Sequence, residues 1–186
     1  MPVIFICGIH GAGKTTFAKK LSEQLGYPYF SSSELIRGKT PDALPEAAGE
    51  KRVCDCDQNQ KTLIRAVNEL SKKYPTIILD GHATILNLEG DPVPLDKQVF
   101  QALNVCAFIF LDVAVERIAE QLKRRDGKRP DFRSLSEHRD AEHIHAQASA
   151  QSLRCLFHVI DGSEESLNKV VKDLTQKLEG SCPSQS

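Results

Sequence analysis

The sequence predicts an α/β fold, a three-layer α/β/α sandwich around a five-stranded parallel sheet. Three observations carry this prediction. Short apolar runs alternate along the chain with segments that keep apolar residues at helical spacing. Runs such as Thr76-Ile77-Ile78-Leu79 and Val105 to Leu111 are apolar on both faces, as strands covered by helices on either side must be. A glycine-rich turn joins the first run to the first amphipathic segment, and such sheets bind ligands where strands end and helices begin.

Val3 to Cys7 gives strand one, and Phe17, Leu21 and Leu25 mark one face of a helix over about 14–25 that Gly26 closes. Tyr27 to Phe30 reads as a short second strand. Ser31-Ser32-Ser33-Glu34 offers capping hydroxyls to a helix through Leu35, Ile36 and Arg37. From Gly38 to Asp57 the composition turns irregular, with the look of a flap. A helix over about 58–73 carries Leu63, Val67 and Leu70. The third strand, 76–79, ends at Asp80-Gly81-His82. A loop with Gly90, Pro92 and Pro94 leads to a helix near 95–103. Strand four covers 105–111, and helices over about 113–125 and 134–153 precede the fifth strand at 156–160. Ser163 caps the last helix, whose apolar stripe is Leu167, Val170, Val171, Leu174 and Leu178. These elements make one domain over 1–180, with residues 181–186 as a flexible tail.

Composition excludes several classes. A net charge of −1 speaks against a nucleic-acid or anionic-membrane footprint. No apolar run approaches the ~20 residues of a membrane helix, and strand one begins too early to leave room for a signal peptide. Cys7, Cys106 and Cys155 fall in or beside apolar strands, where free thiols behave as small hydrophobes, so a reducing cytoplasmic setting is expected. Cys54-x-Cys56 lacks a second pair at metal-binding spacing. His138, His143 and His145 do not repeat the His-x-x-x-His pattern and read as a partly exposed helix face.

The chemistry begins at Gly8-Ile9-His10-Gly11-Ala12-Gly13-Lys14-Thr15-Thr16, which satisfies G-x-x-x-x-G-K-[ST] between a strand and a helix. Glycines let backbone N–H groups turn inward and admit phosphate oxygens closely. The helix start adds the positive end of its dipole, Lys14 reaches the outer phosphates, and the Thr15 hydroxyl suits Mg²⁺. A nucleoside triphosphate is the expected ligand, with ATP and Mg²⁺ as the working assignment. Asp80, at a strand's carboxyl end, is placed to orient the metal, and His82 two residues on can contact phosphate, water or acceptor. Ser32 and Ser33 with Arg37 one turn later suit an acceptor whose phosphate Arg37 grips. Lys123 to Arg133 holds six basic and two acidic side chains, broken by Gly127 and Pro130. Arg124, Arg125, Lys128 and Arg129 there suit a short lid over a transferring phosphoryl group.

Taken together, these residues resemble the P-loop nucleoside monophosphate kinases, with the closest likeness to archaeal and short-lid adenylate kinases. Ser31 to Arg37 is similar to that group's S-T-G-D-x-L-R acceptor motif, which implies Ser32 at the acceptor base and Arg37 at its phosphate. Asp80-Gly81-His82 resembles its D-x-H after the third strand, and Arg129-Pro130-Asp131 with Glu137-His138 its lid and following helix. The resemblance implies transfer of the ATP γ-phosphoryl group to a nucleoside monophosphate, AMP or dAMP foremost. It also implies an acceptor-binding insert over about 31–73 and a lid over about 124–133. Longer-lid relatives carry D-G-F-P-R where this chain has Asp80-Gly81-His82-Ala83-Thr84, so a second acceptor arginine is missing. Two rivals stand beside this reading. One is a kinase of a nucleoside or small-metabolite hydroxyl, with Glu34 or Asp80 as base. The other is a regulatory ATPase on the same fold that binds a protein partner, which nothing in the sequence indicates.

Overall fold

The computed structural model describes residues 1–39, 56–127 and 131–179. Most of the irregular Gly38–Asp57 stretch, Lys128 to Pro130 and the tail at 181–186 lie outside the described residues. The elements in chain order are β1 (Val3–Cys7), α1 (Lys14–Leu25), β2 (Tyr29–Ser31), α2 (Ser32–Lys39), α3 (Cys56–Leu70), β3 (Ile77–Asp80), β4 (Thr84–Leu86), β5 (Pro92–Pro94), α4 (Lys97–Ala102), β6 (Val105–Leu111), α5 (Val115–Asp126), α6 (Phe132–Ser152), β7 (Leu156–Ile160) and α7 (Glu164–Glu179).

Five strands form the expected parallel sheet in the order β2-β3-β1-β6-β7. All five residues of β1 are buried because each face of the sheet meets helices. Ile4 and Ile6 enter one core with Phe17 and Leu21 of α1 and Val170 and Leu174 of α7. Phe5 and Cys7 point the other way, into a core with Phe100, Phe108, Leu63 and Ala146. The period-two alternation of a strand thus fills two layers with one apolar run.

Two local differences from the sequence reading have plain causes. β2 begins at Tyr29 because Pro28 has no N–H to donate, although its carbonyl accepts from Ile78 N at 2.9 Å. This strand lies at the sheet's edge, where a proline at the entry is tolerated. The stretch expected as a loop after Asp80 contains an antiparallel hairpin, β4 with β5. It is closed by Asn87, whose Oδ1 accepts from Asp91 N at 2.7 Å. Among the described residues, no helix is long and apolar enough to cross a membrane.

Candidate active site

The turn from Gly8 to Gly13 leaves the carboxyl end of β1 and enters α1 at Lys14. Gly13 caps that helix at φ +88°, a conformation that favours glycine, and no side chain caps the helix. The N–H groups of the first turn are therefore left for an anion. Lys14 folds back across the turn. Its Nζ donates to Gly8 O at 2.7 Å and Ile9 O at 3.1 Å, and lies 3.4 Å from His82 Nε2. Within the same turn Gly11 lines the cleft beside exposed His10, Ala12 is buried, and Thr16 faces solvent.

β3 pairs with β1 so that Asp80 comes level with Ile6, beside the turn. Asp80 is buried, and its Oδ2 accepts from Thr15 Oγ1 at 3.1 Å and from Tyr29 Oη at 2.6 Å. Burial, and after it the bond to Asp80, push the Tyr29 phenol up to about 12. The Thr15 hydroxyl and Asp80 carboxylate make a hard-oxygen donor pair of the kind Mg²⁺ prefers.

On the other side of Asp80, Ser31 Oγ and Ser33 Oγ lie 3.1 Å apart, and Arg37 Nη2 donates to Ser33 Oγ at 3.4 Å. Ser32 is buried with no hydrogen-bond partner for its Oγ. A cleft of about 490 Å³ joins the two sides, from His10, Lys14 and Thr15 at one end to Ser32, Leu63 and Phe100 at the other. The parallel sheet thus brings Gly8, Lys14, Thr15, Asp80, His82, Ser32, Ser33 and Arg37 to one edge. Arg124 is exposed near the end of α5, two residues after Leu122, which lines the cleft. The Arg125 side chain and Arg129 fall outside the described residues.

One residue of the site has no place in the sequence reading. Glu142 of α6 is fully buried, and its carboxylate accepts from Gly8 N at 3.2 Å, Ala83 N at 2.7 Å, Thr84 N at 2.6 Å and Thr84 Oγ1 at 2.6 Å. The sequence carries only a faint signal of it, a helical spacing with the small residues Ala146 and Ala150 that the structure shows to be a buried stripe. The α6 histidines are more engaged than a partly exposed face implies. His143 stacks between Phe110 and Phe157, and His145 Nε2 lies 2.7 Å from Leu95 O. His138 stacks on His82 with ring centroids 6.4 Å apart, and burial lowers its pKa below the usual histidine range.

Comparison with known proteins bears on the family and the fold. A putative adenylate kinase of Thermococcus onnurineus is 30% identical over 179 residues, 95% of this chain and 83% of that protein. A shikimate kinase of Chlamydia muridarum is 25% identical over 129 residues, 66% of this chain but only 61% of that protein. The solved shikimate kinase of Acinetobacter baumannii, in complex with shikimate, has a TM-score of 0.54 at 19% identity. It covers 97% of this chain and 94% of its own, and shows the fold alone. A family model described as AAA domain matches residues 7–139, from the last residue of β1 well into α6. The chain belongs to that family and is a P-loop kinase.

Proposed function

We propose that this chain transfers the γ-phosphoryl group of ATP to a nucleoside monophosphate, AMP or dAMP foremost. The observation that carries the reading is the state of the carboxylates around the cleft. A hydroxyl acceptor needs a base, and among the described residues the two buried carboxylates, Asp80 and Glu142, already accept from other donors, while the other candidate base, Glu34, faces solvent. Asp80 is held by Thr15 and Tyr29, Glu142 by four donors, and Glu34 is exposed. An acceptor phosphate needs no base, because it is already a nucleophile at neutral pH and positioning supplies most of the catalysis.

In this reading the amides of Gly8 to Thr16 and the Lys14 ammonium hold the donor's phosphates, with His10 at the open rim and Arg124 on the donor side. Thr15 and Asp80 hold Mg²⁺, which when bound neutralises charge on the transferred group. Ser32 and Ser33 receive the acceptor, with Arg37 on its phosphate and His82 between the two sides. Arg125 and Arg129, from the 124–133 lid, neutralise charge that develops during transfer. The acceptor insert spans about 31–73 of a single domain over 1–180, and the setting is cytoplasmic.

A second reading, a hydroxyl kinase with Asp80 as base, draws on the likeness to shikimate kinase. The experiment is ADP release from MgATP alone, then with each nucleoside monophosphate, with a nucleoside and with shikimate. Stimulation by one monophosphate is the expected result. Stimulation confined to a hydroxyl acceptor, or steady ATP loss without any acceptor, contradicts the proposal.

A further inference from the structure

Asp80 and Glu142 are the only buried acidic side chains among the described residues, and the reading above gives Glu142 no task. Its bonds explain why a carboxylate tolerates that position. The four donors fill the acceptor capacity of both oxygens. They come from two chain segments far from α6 in sequence, the entry of the phosphate turn at Gly8 and the exit of β3 at Ala83 and Thr84. A buried polar group with every partner in place rigidifies its surroundings.

The same helix lies close to Lys14. His82 sits between them, with Nδ1 3.9 Å from Glu142 Oε1 and Nε2 3.4 Å from Lys14 Nζ. His138, one helical turn before Glu142, stacks on the His82 ring. One turn after it, His145 joins α6 to Leu95 on the apolar wall of the cleft. The trio His82, His138 and Glu142 has the composition of a metal site, with ligand atoms within 4.8 Å of one another. Two facts oppose that use. The carboxylate has no lone pair left to give, and the Lys14 ammonium beside His82 repels a cation.

We infer that Glu142 is a positioning residue of the nucleotide site. It fixes the entry of the phosphate turn at Gly8 and the exit of β3 to α6. Its action depends only on nucleotide binding at the phosphate turn, so the identity of the acceptor does not enter the test.

The test measures binding of a fluorescent ATP analogue with Mg²⁺ to the full chain and to Glu142→Gln and Glu142→Asp. It is done well below the melting temperature, with circular dichroism confirming the fold. Glutamine replaces one acceptor oxygen with an NH₂ that faces N–H donors. Kd is expected to rise about tenfold, the equivalent of one charge-assisted hydrogen bond. Glu142→Asp, which keeps acceptor-only oxygens, is expected to fall between Glu142→Gln and the parent. A purely structural staple lowers the melting temperature but leaves Kd of the folded protein unchanged, and a Kd within twofold of the parent overturns the inference. Should Glu142→Gln fail to fold, Thr84→Val removes only the hydroxyl donor and is expected to raise Kd about threefold; an unchanged Kd there overturns the inference equally. If the parent itself binds no nucleotide, the phosphate-turn reading has failed, and that outcome is visible before any variant is made.

Discussion

Gly81→Ala tests the packing between the two sides of the cleft. A Cβ at Gly81 would lie 2.9 Å from two ring atoms of Phe5 and 2.9 Å from Ser32 Oγ. Ser32 can turn its hydroxyl away, but Phe5 cannot withdraw. Its ring is wedged edge-on between Phe100, at 5.4 Å between centroids, and Phe108, at 5.7 Å, and all three are buried. Overpacking of this kind costs about 1–3 kcal/mol. At this chain length about 2 kcal/mol corresponds to a fall in Tm of roughly 4–8 °C. The control is Gly38→Ala, where a Cβ meets nothing within 4 Å at an exposed position of α2. That change is expected to be neutral or to stabilise by about 0.5–1 kcal/mol. Denaturant and thermal melts of both variants give the numbers. Because Ser32 is the second contact, acceptor KM in Gly81→Ala is expected to rise more than the Kd for MgATP. A Gly81→Ala melt within a degree of the parent would refute the packing argument.

Other expectations concern the polar side chains. Lys14→Ala should reduce phosphoryl transfer by about a hundredfold or more, as loss of a charged contact to the transferring group does; single-turnover kinetics measure it, and retained transfer displaces Lys14 from the site. Arg37→Ala should raise acceptor KM about tenfold with little change in ATP binding, and an unchanged KM means the acceptor phosphate lies elsewhere. Tyr29→Phe concerns alkaline stability. Folding raises the Tyr29 phenol from its ordinary value near 10 to about 12. Its contribution is thus fully present below about pH 10 and is lost as pH climbs toward 12. The parent should lose stability over that window more steeply than Tyr29→Phe, and parallel pH–Tm curves would contradict the burial of the Tyr29 phenol against Asp80.

What was legible in the sequence followed from contiguity. Residues Gly8 to Thr16 carry their chemistry within nine consecutive positions, the strands β1 and β6 stand out as uninterrupted apolar runs, β3 is apolar up to Asp80, and β7 is broken only by His158. The hairpin β4–β5 was illegible because its strands have three residues each and Pro92 and Pro94 bound the second. Such a strand pairs along one edge only, so proline does not exclude it, yet proline erases its pattern. Glu142 was hidden for another reason. Its partners lie 134, 59 and 58 residues away, so no local spacing reports them. Helix α6 presents alanines and a serine rather than large apolar residues to the core, which leaves its buried stripe faint. The histidines of α6 drew attention by type, whereas the carboxylate between them makes the bonds.

The most direct test of the central claim identifies the bond the protein makes. ³¹P NMR of the full chain with MgATP and a mixture of nucleoside monophosphates resolves a new phosphoanhydride from a phosphomonoester and from free phosphate. The account predicts the paired doublets of a nucleoside diphosphate formed from an added monophosphate, alongside those of ADP. Free phosphate as the sole product, or a phosphomonoester formed only when a hydroxyl acceptor is supplied, would contradict it.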